Sequence, residues 1–316
     1  MKRRKFIENA ALGSMALGLS SFKGFKPVLN NPVPKRTLGK TGEKLSIIGF
    51  GGIMLNDNPQ EYANELVAKA FDAGINYFDI APSYGNAQHK LGPALRSYRD
   101  KCFLACKTLE RDVAGAEKQL HESLTIFGTD HFDLYQLHAL SSIEEVEKVF
   151  GPNGAMELFL KARQQGKIRH IGFSAHSVDA ALLAMSKFDF DSILFPLNFN
   201  CWNNGDFGPQ VYDIAKSKGM GILALKAMAL TLLKEGETKP YKNVWYKPVQ
   251  DDKLTRLALR YTLSKEVTAA IPPGDAEFFW KAVEVAGSFK PITQAETELL
   301  TSLASGNPPL FKHEMT

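Results

Sequence analysis

The chain has 316 residues, 44% hydrophobic and 23% charged, which is ordinary globular composition, long enough for one α/β barrel of roughly 250 residues plus extensions or for two smaller domains. Its formal charge of +4 is local: residues 1–31 hold six of the 38 Lys/Arg but one of the 34 Asp/Glu, leaving 32 bases against 33 acids in the rest. A near-neutral body excludes the electrostatic footprint of a nucleic-acid or anionic-membrane binder.

In chain order, the first segment carries Lys2, Arg3, Arg4 and Lys5, followed by a modest apolar stretch from Ala10 to Leu19. That stretch is too short, and too rich in Gly and Ser, to span a bilayer. Arg3-Arg4 followed by Lys5, Phe6 and Ile7 resembles the twin-arginine export signal. The residues predict an export signal and linker over 1–31 and one domain over 32–316, with a periplasmic or otherwise exported location and no membrane span in the mature protein. A basic tail on a cytoplasmic protein is the alternative. No Ala-x-Ala site marks the cut, which is expected near residues 22–32.

After the linker Asn30 to Pro34, Arg36–Leu38 and Leu45–Ile48 form a predicted hairpin around Gly39-Lys-Thr-Gly42. Eight apolar runs of strand length then follow: Ile47–Gly51, Tyr77–Ile80, Phe103–Lys107, Phe132–His138, His170–Ser174, Ile193–Pro196, Ile222–Leu225 and Thr268–Ile271. Amphipathic segments alternate with them: Tyr62–Ala73, Lys90–Ser97, Ala114–Phe127, Ile143–Gln165, Ala180–Lys187, Val211–Lys218 and Leu254–Leu263, then Glu277–Val285 and Thr293–Leu303. Gly74, Gly128, Gly166 and Gly219 stand where helices should stop. Alternation implies parallel pairing through right-handed crossovers. Eight strands favour an α/β fold of (β/α)8 TIM-barrel type, with a short N-terminal β-hairpin and an extra C-terminal helix. An open doubly wound sheet is the alternative, but no Gly-x-Gly-x-x-Gly follows a first strand. Long strand-to-helix loops, Asn198 to Pro209 and Ala227 to about Gln250, are expected to shape a pocket.

Cys102 and Cys106 lie four apart in one predicted strand, about 13 Å between Cα atoms, beyond the roughly 7 Å a disulfide tolerates. Both are expected to face the outer helices as small apolar residues. With Cys201 they make a set too widely spaced for zinc or an iron–sulfur cluster, and no metal site is predicted.

Asp79, Lys107 and His138 each close a predicted strand, and Tyr84 lies five residues past Asp79. In a parallel barrel those ends converge on one face. Alone, Asp79 reads as a structural carboxylate, Tyr84 as loop packing and His138 as a satisfied core histidine. Lys107 is harder to dismiss, because an interior lysine needs a counter-charge. Together they form a pKa-tuning set. A free phenol titrates near about 10 and becomes useful at neutral pH when a cation stabilises its phenolate.

These residues sit in motifs that look like those of the aldo-keto reductase family. FDIAPSYGNAQHKLGPAL (Phe78–Leu95), ACKT (Ala105–Thr108), DHFDLYQLH (Asp130–His138) and GKIRHIGFS (Gly166–Ser174) resemble that family's second, third, fourth and fifth strands, in order. The likeness runs from about Arg36 to about Leu303. It implies that Tyr84 protonates the carbonyl oxygen, that Lys107, paired with Asp79, lowers the Tyr84 pKa, and that His138 orients the carbonyl. It also implies a nicotinamide cofactor, NADP or NAD.

The cofactor half departs from the family pattern. Gly51 ends the first strand. A Ser-Asn pair in relatives is Ser174-Ala175 here, with His176 next; a usual glutamine is Leu194; a usual stacking aromatic is Leu225, followed by Lys226. Lys226 is expected either to face cofactor phosphates or to snorkel to solvent. After the eighth strand Gly274-Asp275 replaces a basic stretch, Lys281 is the nearest base, and the Gly274 turn is a candidate for holding phosphate through backbone N–H groups. Gln88 stands where relatives carry glutamate. Trp202, Phe207, Tyr241, Trp245 and Tyr246 read either as loop packing or as platforms for a sugar or lipid-like ligand. The expectation is an exported oxidoreductase acting on a small carbonyl or sugar-like substrate, with a cofactor retained rather than exchanged. The alternative is a sugar-binding protein that has lost hydride transfer.

Overall fold

The computed structural model describes residues 32–313; the twin-arginine segment lies outside them. A hairpin of β1 (Lys35–Thr37) and β2 (Lys44–Ser46) leads into β3 (Phe50–Gly51), α1 (Gln60–Asp72), β4 (Tyr77–Asp79), α2 (Ala87–Leu95), β5 (Phe103–Thr108) and α3 (Val113–Phe127). The middle third comprises β6 (Phe132–Leu140), α4 (Ile143–Phe150), α5 (Ala155–Gln164), β7 (Ile168–Ala175), α6 (Val178–Lys187), β8 (Ser192–Pro196), α7 (Phe199–Asn204) and α8 (Pro209–Ser217). The last third runs β9 (Gly221–Leu225), β10 (Ala229–Leu232), β11 (Tyr246–Pro248), α9 (Asp252–Leu263), β12 (Ala269–Ile271), α10 (Ala276–Gly287) and α11 (Gln294–Ser305).

Eight parallel strands lie in the order β12-β9-β8-β7-β6-β5-β4-β3. The ring closes through the first predicted strand, which divides its pairing. Phe50 and Gly51 pair with β4, whereas Ile48 bridges Ala270 of β12, with Ala270 N–H donating to Ile47 O at 2.9 Å and Gly49 N–H to Ala270 O at 3.0 Å. The molecule is therefore a (β/α)8 barrel.

Strand side chains alternate, and two buried layers result. Tyr77, Phe103, Ala105, Leu134, Leu194, Leu223, Ala269 and Ile271 fill the interior, while Phe78, Leu104, Cys106, Tyr135, Phe173 and Ala224 join the outer core beneath the helices. Cys102 and Cys106 are free and lie in that outer core. Leu38 and Leu45 carry the hairpin into the interior cluster, so it stoppers the amino-terminal end of the barrel. Gly39 makes this possible: at φ +49° its added Cβ would stand 2.3 Å from Gly221 N.

Three expectations are corrected. The single helix over Ile143–Gln165 is two, α4 and α5, because Gly151-Pro-Asn-Gly154 interrupts it, with Asn153 at φ +58°. The loop from Ala227 to Gln250 contains the β10–β11 hairpin. The loop from Asn198 contains α7, capped by Asn198 Oδ1, which accepts from Asn200 N–H (3.1 Å) and Cys201 N–H (2.9 Å).

Candidate active site

Lys107 is fully buried, and its ammonium donates to Asp79 Oδ1 and, at 3.1 Å, to the Ile80 carbonyl. The second Asp79 oxygen accepts from the Tyr77 hydroxyl at 3.2 Å and from Gln136 Nε2 at 3.4 Å. The buried charge thus has a partner that is itself fully bonded, the condition under which a dry ion pair is tolerated. Desolvation pulls the Lys107 pKa down, but Asp79 and Tyr84 outweigh it and hold it above the ordinary value.

The half-buried Tyr84 ring lies 5.2 Å from the Lys107 ammonium. It meets His138 edge-on, with centroids 5.8 Å apart at 83°. Burial raises the Tyr84 pKa, and Lys107 pulls against it; burial is the larger effect. The expected lowering by Lys107 is therefore one contribution, and the net direction is up. The raised value favours the protonated phenol at neutral pH, and a cation stands beside it.

His138 is pushed down to about 2, first by desolvation, then by the charges of Lys107, His176, Arg111 and Lys226. That keeps it neutral at physiological pH, with its ring nitrogens available for hydrogen bonding. Its Nδ1 faces Ser83 Oγ at 3.4 Å, and Nε2 has no partner among the described residues.

A β-bulge aims this ring. The β6–β7 register shifts between Leu137 and Leu140, and Ala139 sits at φ +56°. Its N–H donates to Ser174 Oγ at 2.7 Å. Arg111 Nη2 donates to His138 O at 2.8 Å, Ala139 O at 3.4 Å and Glu145 Oε1 at 3.2 Å. Bulges beside active sites commonly re-aim one side chain.

The structure brings Asp79, Tyr84, Lys107 and His138 together. The cofactor candidates divide. Ser174 turns toward the mouth and keeps its hydroxyl proton undonated among the described residues. Leu194 and Leu225 give an apolar floor. Ala175, next in alternation, belongs to the outer core. Gly51 pairs with Asp79, and a Cβ there would meet Ile271 at 2.9 Å. A Cβ on Gly274 would lie 2.8 Å from Asn243 O.

Asp275 already caps α10, its Oδ1 accepting from Glu277 N–H at 2.9 Å, and Lys281 is paired with Asp252 (3.1 Å) and Glu277 (3.7 Å). Gln88 lies behind the strands, bonded to Ser123.

Lys226 does not snorkel. It is 9% exposed, at φ +60°, and its Nζ lies 3.4 Å from His176 Nε2 and 5.5–5.6 Å from the Trp245 and Phe311 rings. Of the loop aromatics, Trp202 packs on Tyr212, Phe207 on Phe195 and Tyr241 on Phe278, and Tyr246 is buried beside Trp245. Trp245 alone among them is exposed over Lys226.

Tyr77, Gln136, Arg111 and Phe311 were not expected here. Tyr77 and Gln136 carried a signal: each stands two residues before a site residue, on the same strand face.

The family model described as "Aldo/keto reductase family" matches residues 47–302. The chain belongs to the aldo/keto reductase family. Members of the aldo/keto reductase family are oxidoreductases that generally depend on NAD(P). An L-galactose dehydrogenase of Arabidopsis thaliana is 26% identical over 269 residues, 75% of this chain and 82% of that protein. A 6-dehydroglucose reductase of Novosphingobium aromaticivorans is 28% identical over 206 residues, 55% of this chain and 64% of that protein. The holo form of an aldo-keto reductase from Bacillus halodurans superposes with a TM-score of 0.68 at 22% identity, covering 88% of this chain and 98% of that one. Among the described residues no helix is long and apolar enough to cross a membrane.

Proposed function

We propose that this aldo/keto reductase interconverts a carbonyl and an alcohol on a small sugar-like substrate, with Tyr84 handling the proton. The observation that carries this is the Tyr84 ring 5.2 Å from the Asp79-bonded Lys107 ammonium, with His138 Nε2 open beside it. Neutral His138 orients the carbonyl. Tyr84 gives up its proton as negative charge develops on the oxygen, and Lys107 stabilises the phenolate left behind. The sugar-like class rests on the names of the two relatives, which act on L-galactose and on 6-dehydroglucose.

Bound nicotinamide would supply or accept the hydride. The residues fit such a group: Leu194 and Leu225 offer an apolar floor, and the Ser174 hydroxyl proton is free for a carboxamide oxygen. Near Gly274 the fit favours NAD over NADP. Where the family pattern carries basic residues this chain has Asp275, and the nearest base, Lys281, is already paired, so a 2′-phosphate held here would lack a free cation.

The test is Tyr84→Phe. Its expected outcome is a fall in turnover of about 10²–10⁴-fold with cofactor affinity intact. Full turnover in the variant would remove the proton-donor assignment. Ala175, Leu194 and Leu225, which lack the amide and aromatic contacts of relatives, favour a second reading, a ligand-binding protein without hydride transfer. Cofactor fluorescence titration separates the two, since no quenching at millimolar cofactor supports the binder.

A further inference from the structure

We propose that Lys226 and His176 form an anion-binding subsite of the carbonyl pocket, taking a carboxylate or phosphate carried by the substrate. This rests on the reading above for what the pocket does, and it names the substrate as an acidic hydroxy-carbonyl compound. The argument begins with an ammonium that lacks a counter-charge. Lys226 is almost fully buried, yet no carboxylate lies within ion-pairing distance among the described residues. Its neighbours are the His176 ring and the faces of Trp245 and Phe311. Aromatic faces attract a cation, but by less than burying one costs. Lys107, buried in the same barrel, has Asp79.

Position argues for the substrate side. Lys226 follows β9, while His176 follows β7, and β8 lies between them. To bring Nζ to 3.4 Å from His176, the side chain crosses the mouth over one intervening strand. His176 is tied to β6, its N–H donating to Leu140 O at 2.9 Å, and β6 carries His138. The ammonium therefore lies on the side of the mouth toward the carbonyl-orienting imidazole. Its left-handed backbone at φ +60°, rare for a residue with a β-carbon, fixes that direction.

The charged and titratable groups facing it are His176, His138 and the thiol of Cys201, with Lys107 and Arg111 beyond His138. None is a carboxylate that would compete with an incoming anion, and burial raises the Cys201 pKa so that the thiol stays neutral. Desolvation lowers Lys226 to about 8 and His176 to about 3. At neutral pH the ammonium carries the charge, while the imidazole stays neutral.

An anion reaching Lys226 could also come from the cofactor's phosphates, and the experiment separates the two sources. Full-length protein is assayed with 4-oxobutanoate and butanal, aldehydes of one length that differ by a carboxylate, and cofactor affinity is measured in parallel. The expected result at pH 7 is a kcat/KM ratio of tenfold or more in favour of the acid. It collapses toward one in Lys226→Met, returns in part in Lys226→Arg, and fades in the native protein as pH rises through about 8. Cofactor affinity that falls in Lys226→Met while the acid preference persists would overturn the proposal and give the ammonium to the cofactor. If neither aldehyde turns over and millimolar cofactor gives no quenching, the oxidoreductase reading is what fails. Succinate binding, read by tryptophan fluorescence, then decides: binding lost in Lys226→Met keeps the subsite, and no binding in the native protein removes it.

Discussion

At the scale of single residues, the site depends on one side chain that touches no reacting atom. Ala139 is held in the left-handed region, which costs a residue with a β-carbon roughly 1–2 kcal/mol, and that kink directs the His138 ring. Ser174 fastens the kink at its N–H, and Arg111 fastens it at two carbonyls. Arg111 is therefore a positioning residue. In Arg111→Met the bulge loses its carbonyl donor, and His138 gains freedom to swing toward water. Its pKa, held at about 2 by desolvation first and by cations including Arg111, then rises toward the ordinary value near about 6.5. The imidazole should be silent to pH between 5 and 8 in native protein by NMR and should titrate in the variant. Turnover should drop about 100-fold, the scale of a misplacement of an ångström, with a smaller loss in Arg111→Lys. An imidazole that stays silent in a folded Arg111→Met would count against the positioning role. The four catalytic candidates were legible in the sequence because each sits at, or just past, a strand end. Arg111 and Phe311 were not, because they reach the site from a loop and from the C-terminal tail, where no periodicity announces a direction.

At the scale of elements, the hairpin of β1 and β2 works as a stopper whose fit is set by Gly39. Its Cβ would stand 2.3 Å from Gly221 N and 2.4 Å from Gly219 O, both backbone atoms, at φ +49°. Gly42, in the same turn, has φ +83° but nothing within 4 Å. Gly39→Ala adds a backbone clash to left-handed strain and should lower stability by about 2–4 kcal/mol, whereas Gly42→Ala should lose roughly 1 kcal/mol from strain alone. Urea midpoints of the two variants measure the difference, and equal midpoints would mean that the hairpin is not seated in the barrel end. All eight strands were legible from apolar runs, and Gly74, Gly128, Gly166 and Gly219 all adopt positive φ where helices were expected to stop. The break between α4 and α5 was masked because amphipathic periodicity continues on both sides of Gly151–Gly154. β10 and β11 were missed because strands of four and three residues, one ending in Pro248, carry too little alternation to detect.

At the scale of the whole molecule, the segment joining β10 to β11 crosses the mouth and fastens on its far side. Asn243 O packs on Gly274, Asn56 Nδ2 reaches Asn243 Oδ1 at 3.4 Å, and Lys242 Nζ lies 3.3 Å from Asp57 O. The C-terminal segment closes a second side: Asn200 Nδ2 donates to Asn307 O (3.0 Å), His313 N–H donates to Gly205 O (2.8 Å), and Phe311 stacks on His176 and Phe207. Ser174 and Gly274 are the residues that would hold a nucleotide, and these contacts border the mouth between them. We propose that a cofactor is bound before export and kept, so that oxidation of one substrate molecule alternates with reduction of another. We propose export on the strength of Arg3-Arg4; on that reading, replacing the pair with Lys-Lys should leave the protein in the cytoplasm of fractionated cells. Native mass spectrometry of the periplasmic protein should then show one dinucleotide per chain. The mass should be that of NAD, since Asp275 and the occupied Lys281 oppose an additional phosphate. Removing the far-side fastening through Asn243→Ala and Lys242→Ala together should speed nucleotide loss on dilution, read as a faster decay of bound-cofactor fluorescence. Nucleotide-free native protein, or a decay unchanged by the double substitution, would mean that the strap lies over the mouth without holding anything in it.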